Sequence, residues 1–265
     1  MKIHFYAAIT IGVSLVLFGC QPSNNNNLEP ITTSQEVNVN NPFFKPFDTP
    51  YGIPDFAIID ATHYMPAFDH GIALNKQEII NIANNKAPAS FENTVVAMEK
   101  SGDFLNSVSN VFYGLTGSMS DDNMRAIAKE IAPKLSSLSD DIALNNLLFQ
   151  RVKTVYDNKE QLTLRVDQQT LLADTYKNFV RGGANLNDQD KTALRELNNQ
   201  LSSLSVKFGE NLLNETNSFE MVIDNKANLT GLPDDIIAAA AITAKDRGHL
   251  GKWVFTTHRP SKNPF

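Results

Sequence analysis

Ala87-Pro88-Ala89-Ser90-Phe91-Glu92-Asn93-Thr94-Val95-Val96-Ala97-Met98-Glu99-Lys100-Ser101-Gly102 is the stretch whose reading decides the fold of this chain. Physically it is a helix start. Pro88 ends whatever precedes it, and Ser90 is a natural N-cap whose hydroxyl can accept from an amide of the first turn. Asn93 and Thr94 put polar groups in that turn, and Val95, Val96 and Met98 then supply an apolar stripe.

Apolar periodicity at helical spacing continues on both sides. Pro66 is read near the first turn of a helix through Phe68, Ile72, Ile79, Ile80 and Ile82. The helix opened at Ser90 is expected to continue past Gly102 through Phe104, Leu105, Val108 and Phe112. Ser120 is read as the cap of another helix, with Asp121 and Asp122 where its dipole favours negative charge and Pro133 bending it. Helices over residues 144–157 and 168–181 follow, the second closed by Gly182-Gly183. Asn187 opens the longest helix. Its Leu194, Leu197, Leu201, Leu204 and Phe208 alternate steps of three and four, a narrow stripe that predicts an antiparallel helical hairpin rather than a dimeric coiled coil. Near the end, residues 219–223 and 252–257 read as strands that could pair across an alanine-rich helix beginning at Pro233. The fold class is therefore mainly α, with a short strand pair near the C-terminus.

The N-terminus carries a different kind of information. Lys2 followed by an apolar run over residues 5–18 has the form of a signal peptide and is too short to span a bilayer. The run ends in Leu17-Phe18-Gly19-Cys20, which resembles a bacterial lipobox and makes Cys20 the expected lipid attachment site. Cys20 is the sole cysteine, so the chain can form no intrachain disulfide and no cysteine-based structural zinc site. Four consecutive asparagines at 24–27 begin a polar tether with little to bury. The expected organisation is a signal peptide at 1–19, a lipidated tether at 20–41, a helical domain at 42–215 and a strand–helix–strand segment at 216–265. Within the domain's opening, Pro42, Phe43, Phe44, Pro46, Phe47, Pro50, Tyr51 and Pro54 predict an irregular, extended segment pinned by aromatic anchors.

Chemistry is sparse. The 265 residues carry a net charge of −6 with no basic cluster, which argues against nucleic acid as a partner. None of the histidines (His4, His63, His70, His249 and His258) belongs to a His-Glu-x-x-His pair. His63 and His70 are seven residues apart, about 10 Å along a helix and too far for one metal ion. His249 and His258 flank the second strand without a clustered carboxylate. The acidic pairs Asp121-Asp122 and Asp234-Asp235 sit at expected helix starts, where the dipole accounts for them, and Asp140-Asp141 is likewise read without catalytic function.

The stretch at 87–102 also resembles the Pro-x-x-Phe-Glu-Asn-Thr segment of the thimet oligopeptidase family of zinc metallopeptidases, and within it the bacterial peptidyl-dipeptidases. Further collinear pieces carry the resemblance. They include Asn41-Pro42-Phe43-Phe44, Tyr64-Met65-Pro66-Ala67-Phe68, Ala132-Pro133-Lys134-Leu135, Leu148-Phe149-Gln150-Arg151-Val152 and Gly251-Lys252-Trp253-Val254-Phe255. So does Asn178-Phe179-Val180-Arg181-Gly182-Gly183-Ala184-Asn185-Leu186. The resemblance implies the helical N-terminal part of a much longer enzyme that removes C-terminal dipeptides from oligopeptides. In such enzymes zinc is held by His-Glu-x-x-His and a later Glu in the C-terminal half, with the motif's own Glu acting as base. None of those residues maps onto this chain, so no catalytic residue and no metal ligand is expected in it, and the chain alone is expected to bind no zinc. The implied partners are short peptides and, through Cys20, a bacterial membrane at the periplasm or outer membrane; a monomer is expected. The alternative is a lipid-anchored helical protein that binds peptides or a partner without catalysis.

Overall fold

A computed structural model describes residues 40–262. The expected signal peptide and nearly all of the tether lie outside the described residues. Helices dominate: α1 (Ala61–Ala83), a π-helical turn (Phe91–Val96) running into α2 (Ala97–Glu99), α3 (Asp103–Thr116) and α4 (Asp122–Ala143). They continue with α5 (Asn146–Asp157), α6 (Val166–Arg181), α7 (Asp188–Ser218), α8 (Asp234–Asp246) and the short α9 (Arg259–Lys262). Strands β1 (Met221–Ile223) and β2 (Trp253–Phe255) pair antiparallel across α8, with Val222 opposite Val254. The mainly α fold with a terminal strand pair is thus present. No helix among the described residues is long and apolar enough to cross a membrane.

The main core joins α1, α3 and α4. Tyr64 and Phe68 of α1 meet Phe112 of α3 edge-on, with ring centroids 5.1 and 5.3 Å apart, and Ile131 and Leu138 of α4 close the cluster. Phe43 packs on Tyr64 at 5.4 Å. Beside it, buried Asn41 accepts from the Phe43 amide at 3.0 Å and donates to the His63 carbonyl at 2.8 Å. Of the aromatic anchors expected at the domain's opening, Phe43 makes these contacts and Phe44 stacks on Phe104, whereas Tyr51 is fully exposed. Farther along, Leu148, Phe149 and Val152 of α5 pack with Phe179 of α6 and Ile79 of α1. Phe91 and Val95 of the π turn pack with Val155 and Leu172.

One polar group sits badly in this core. The Tyr64 hydroxyl is buried with no hydrogen-bond partner among the described residues, and burial pushes its pKa up. An unpaired buried hydroxyl costs on the order of 1 kcal/mol or more. Tyr64→Phe is therefore expected to raise the unfolding free energy by about 1 kcal/mol, read as a higher denaturant midpoint at unchanged m-value.

Several sequence expectations need correction. Helix α1 begins more than a turn before Pro66, because Asp60 caps it: the Asp60 carboxylate accepts from the Thr62 amide at 2.8 Å, and His63 Nδ1 accepts from the Asp60 amide at 3.0 Å. Pro66 lies inside the helix, where its missing N–H leaves one helical bond unmade. The helix opened at Ser90 does not run on to Phe112. It stops after Glu99 and restarts at Asp103, because Gly102 takes a left-handed φ of 78° and its amide donates to the Glu78 carboxylate at 2.7 Å. The cap of α4 is Asp121 rather than Ser120, with its carboxylate 2.8 Å from the Met124 amide. At the end of α6 the glycine signal holds. Gly183 has φ 95°, and a Cβ there would meet the Leu194 side chain at 2.7 Å.

The largest departure concerns α7. It packs along α4, but not through Leu197, Leu201, Leu204 or Phe208, and of the expected stripe only Leu194 is partly buried. The contact is polar: Asn198 donates to Asp140 at 2.6 Å, Arg195 pairs with Asp141 at 2.8 Å and Glu210 with Lys129 at 2.9 Å. Leu197, Leu201, Leu204 and Phe208 are left 60–69% exposed. The expected hairpin seam is not what joins these helices.

Candidate functional site

Arg151, on α5, is the centre of the best-organised polar constellation. Its guanidinium donates to the carbonyls of Asn85 at 2.8 Å and Ala87 at 3.1 Å, and to Asn93 Oδ1 at 2.8 Å. Asn93 in turn completes a capping box with Ser90: Ser90 Oγ accepts from the Asn93 amide at 3.1 Å, and Asn93 Oδ1 accepts from the Ser90 amide at 2.9 Å. The Thr94 hydroxyl reaches the same oxygen at 2.9 Å, and Asn93 Nδ2 donates to the Pro88 carbonyl at 2.9 Å. One amide side chain therefore ties the loop before the helix, the helix start and α5 together. The turn it caps is π-helical, and this wider turn sets Phe91, Thr94 and Val95 on one buried side. Arg151 Nε is buried without a partner among the described residues. These bonds all run within the chain, so what the constellation does is hold the loop, the helix start and α5 in place.

Asp141, half of an acidic pair, is a second junction. It joins Lys76 of α1 at 2.9 Å and Arg195 of α7 at 2.8 Å, while neighbouring Asp140 holds Asn198. The pair thus docks two helices onto α4. Nearby, Lys191 of α7 is buried and donates to the Leu144 carbonyl and to Asn146 Oδ1, so it covers the turn between α4 and α5; desolvation holds its pKa below the usual lysine range. Asp121 caps α4 and Asp122 is its first residue, while Asp234 and Asp235 start α8. Those positions account for both pairs as helix-start charges.

His63, His70 and His249 each have structural partners, while His4 lies outside the described residues. His63 serves the α1 cap, and the hydroxyl and amide of Thr62 hold the Asp60 carboxyl of that cap below its ordinary range. His70 sits edge-on to Phe44 and Phe104 at 5.1 and 5.2 Å. His249 does have a carboxylate, contrary to the sequence expectation. Glu220, 29 residues away, lies 2.7 Å from its Nε2. Arg247 grips the other Glu220 oxygen at 3.1 Å and donates to the Asn217 and Phe219 carbonyls, so it closes the end of α7. His249 and Arg247 together lower the Glu220 pKa. Strand pairing brings these residues together, and no local sequence window contains both partners.

No group of three or more His, Cys, Asp or Glu side chains among the described residues is placed to hold a metal ion. The described residues therefore do not fit a zinc centre. Cys20 lies outside the described residues.

No family model matches the chain. Individual proteins do. The chain is 35% identical to dipeptidyl carboxypeptidase of Escherichia coli K12 over 225 residues, covering 83% of this chain and 33% of that protein. It is 25% identical to an organellar oligopeptidase A of Arabidopsis thaliana over 237 residues, covering 87% of this chain and 29% of that one. Against oligopeptidase A of Salmonella typhimurium the identity is 23% over 219 residues, covering 83% and 32%. The chain spans about a third of the length of the curated relatives it matches. Across that third, with the collinear motifs carried by capped helices and a closing strand pair, the chain belongs with the dipeptidyl carboxypeptidases and oligopeptidases A, in the thimet oligopeptidase family.

Proposed function

We propose that this chain is the helical N-terminal part of a zinc peptidase that removes dipeptides from the C-termini of oligopeptides, with the catalytic half outside these residues. The observation that carries the reading is the 35% identity to a dipeptidyl carboxypeptidase over 83% of the chain. The polar constellations support it, because each is spent on holding helices in place. In this reading the helices form one wall of a peptide-binding channel, and short peptides are the ligands. The gene supplies the test. The reading frame past the Phe265 codon is expected to continue into a His-Glu-x-x-His sequence. A stop codon with no such sequence downstream overturns the proposal and leaves the lipid-anchored binding protein standing.

The anchoring proposal rests on Leu17-Phe18-Gly19-Cys20 and places the protein at a bacterial cell envelope. Metabolic labelling with an alkyne fatty acid should mark the protein, and Cys20→Ser should remove the label. Unchanged labelling in that variant would refute the attachment site.

A further inference from the structure

We propose that the exposed leucine face of α7 is the seat of a helix from the chain's own continuation past Phe265, so that the intact enzyme closes here the helical hairpin that the spacing of the stripe predicts. This occupant exists only if the catalytic half follows Phe265, as proposed above. Arg195 and Asn198 bond α4, and Lys191 bonds the turn after it. At about 100° per residue, the centre of Leu197, Leu201, Leu204 and Phe208 lies about 120° around α7 from those three residues. The α4 contact therefore leaves the stripe uncovered among the described residues, with the four side chains at 61, 62, 60 and 69% exposure. A row of large apolar side chains this exposed marks an interaction surface.

Composition, spacing and position identify the occupant. Within about 60° of the centre of the stripe, every residue from Ala193 to Leu212 is Ala, Leu, Phe or Asn. No Lys or Arg stands in that sector to meet lipid headgroups. Asp190 and Glu215 lie in line with the stripe at its two ends, so an antiparallel pair of copies centred on it would oppose two like charges. Alternating steps of three and four residues are the spacing of a helix–helix seam, which selects a helix as the covering element. Position supplies that helix from the same chain. The Thr257 hydroxyl donates to the Thr216 carbonyl at 3.3 Å, which ties the segment after β2 to the C-terminal end of α7, and α9 starts two residues on. Thr216 lies about 12 Å along the helix axis past Phe208. The chain therefore leaves the described residues beside one end of the stripe. It spans 33% of the dipeptidyl carboxypeptidase it matches, so in the proposed reading most of the enzyme follows from this point.

Thiol labelling of the intact protein reads the cover. The protein is expressed from the reading frame extended past Phe265, in a Cys20→Ser background, with Leu201→Cys or Phe208→Cys. Maleimide labelling of the α7 peptide is then followed by mass spectrometry. Both thiols should react about tenfold or more slowly in the native intact protein than in urea. Oxidation of Leu201 and Phe208 by hydroxyl radicals gives the same comparison in the unsubstituted protein. A photoreactive p-benzoylphenylalanine in place of Phe208 identifies the occupant, and it should cross-link within one chain to a helix past residue 265. An extended frame whose thiols react as fast in the native protein as in urea overturns this seat and leaves the proposed function standing. Cross-linking to a second chain does the same. A stop codon directly after Phe265 refutes the proposed function, and this occupant falls with it.

Discussion

Replacing Phe112 by alanine is expected to lower the unfolding free energy by roughly 4 kcal/mol, within the usual range for a fully buried aromatic. Phe112 is completely shielded from solvent, and its ring is the meeting point of α1 and α3 through edge-on contacts with Tyr64 and Phe68. Ile131 and Leu138 of α4 belong to the same cluster, so truncation opens a hole lined by three helices that cannot all move inward together. For a domain of this size, the melting temperature should fall by roughly 8–16 °C. Phe112→Leu retains most of the volume and should cost less than half as much. Equal effects of the two variants would mean that this cluster is not the core that holds α1, α3 and α4 together.

Asn93→Ala should cost roughly 3 kcal/mol, far more than the ~1 kcal/mol of an ordinary cap. The excess comes from Arg151. Without Asn93 Oδ1, the guanidinium loses its 2.8 Å acceptor while its Nε is already unpartnered. The Ser90 amide and the Pro88 carbonyl lose their partners at the same time. Ser90→Ala, which removes only the cap acceptor, is the reference and should show the ordinary cost. A double-mutant cycle between Asn93→Ala and Arg151→Met isolates the shared part, expected at about 1 kcal/mol or more. Strictly additive losses would show that the two residues do not act as one hub.

The capping residues and the period of the apolar positions made most of the helices legible. Asn187 and Gly182-Gly183 delivered their ends where local chemistry put them. The caps of α1 and α4 were local misreadings, and the larger errors arose where a distant group decided the outcome. Glu78 reaches from α1 to fix the break at Gly102, and no local signal in the 87–102 stretch announces it. The α7 stripe misled for a related reason. Its leucine spacing fits a helix seam, but ion pairs and amide contacts to Asp140, Asp141 and Lys129 rotate the helix so that the other side docks. Glu220 and His249 meet only because the strands pair across α8. Family membership was legible at once, since the marks that carry it lie in consecutive capped segments. Asn93 was visible as a first-turn polar group, but its partnership with Arg151 required the fold.

If these residues are scaffold, as proposed, the purified chain by itself should hydrolyse nothing. The most direct test incubates the purified chain with an N-blocked tetrapeptide and zinc, then measures C-terminal dipeptide release by mass spectrometry and bound metal by elemental analysis. No dipeptide release and no stoichiometric zinc are expected, since no group of described His, Cys, Asp or Glu side chains is placed to hold a metal ion. Dipeptide release accompanied by one zinc per chain would contradict the proposal.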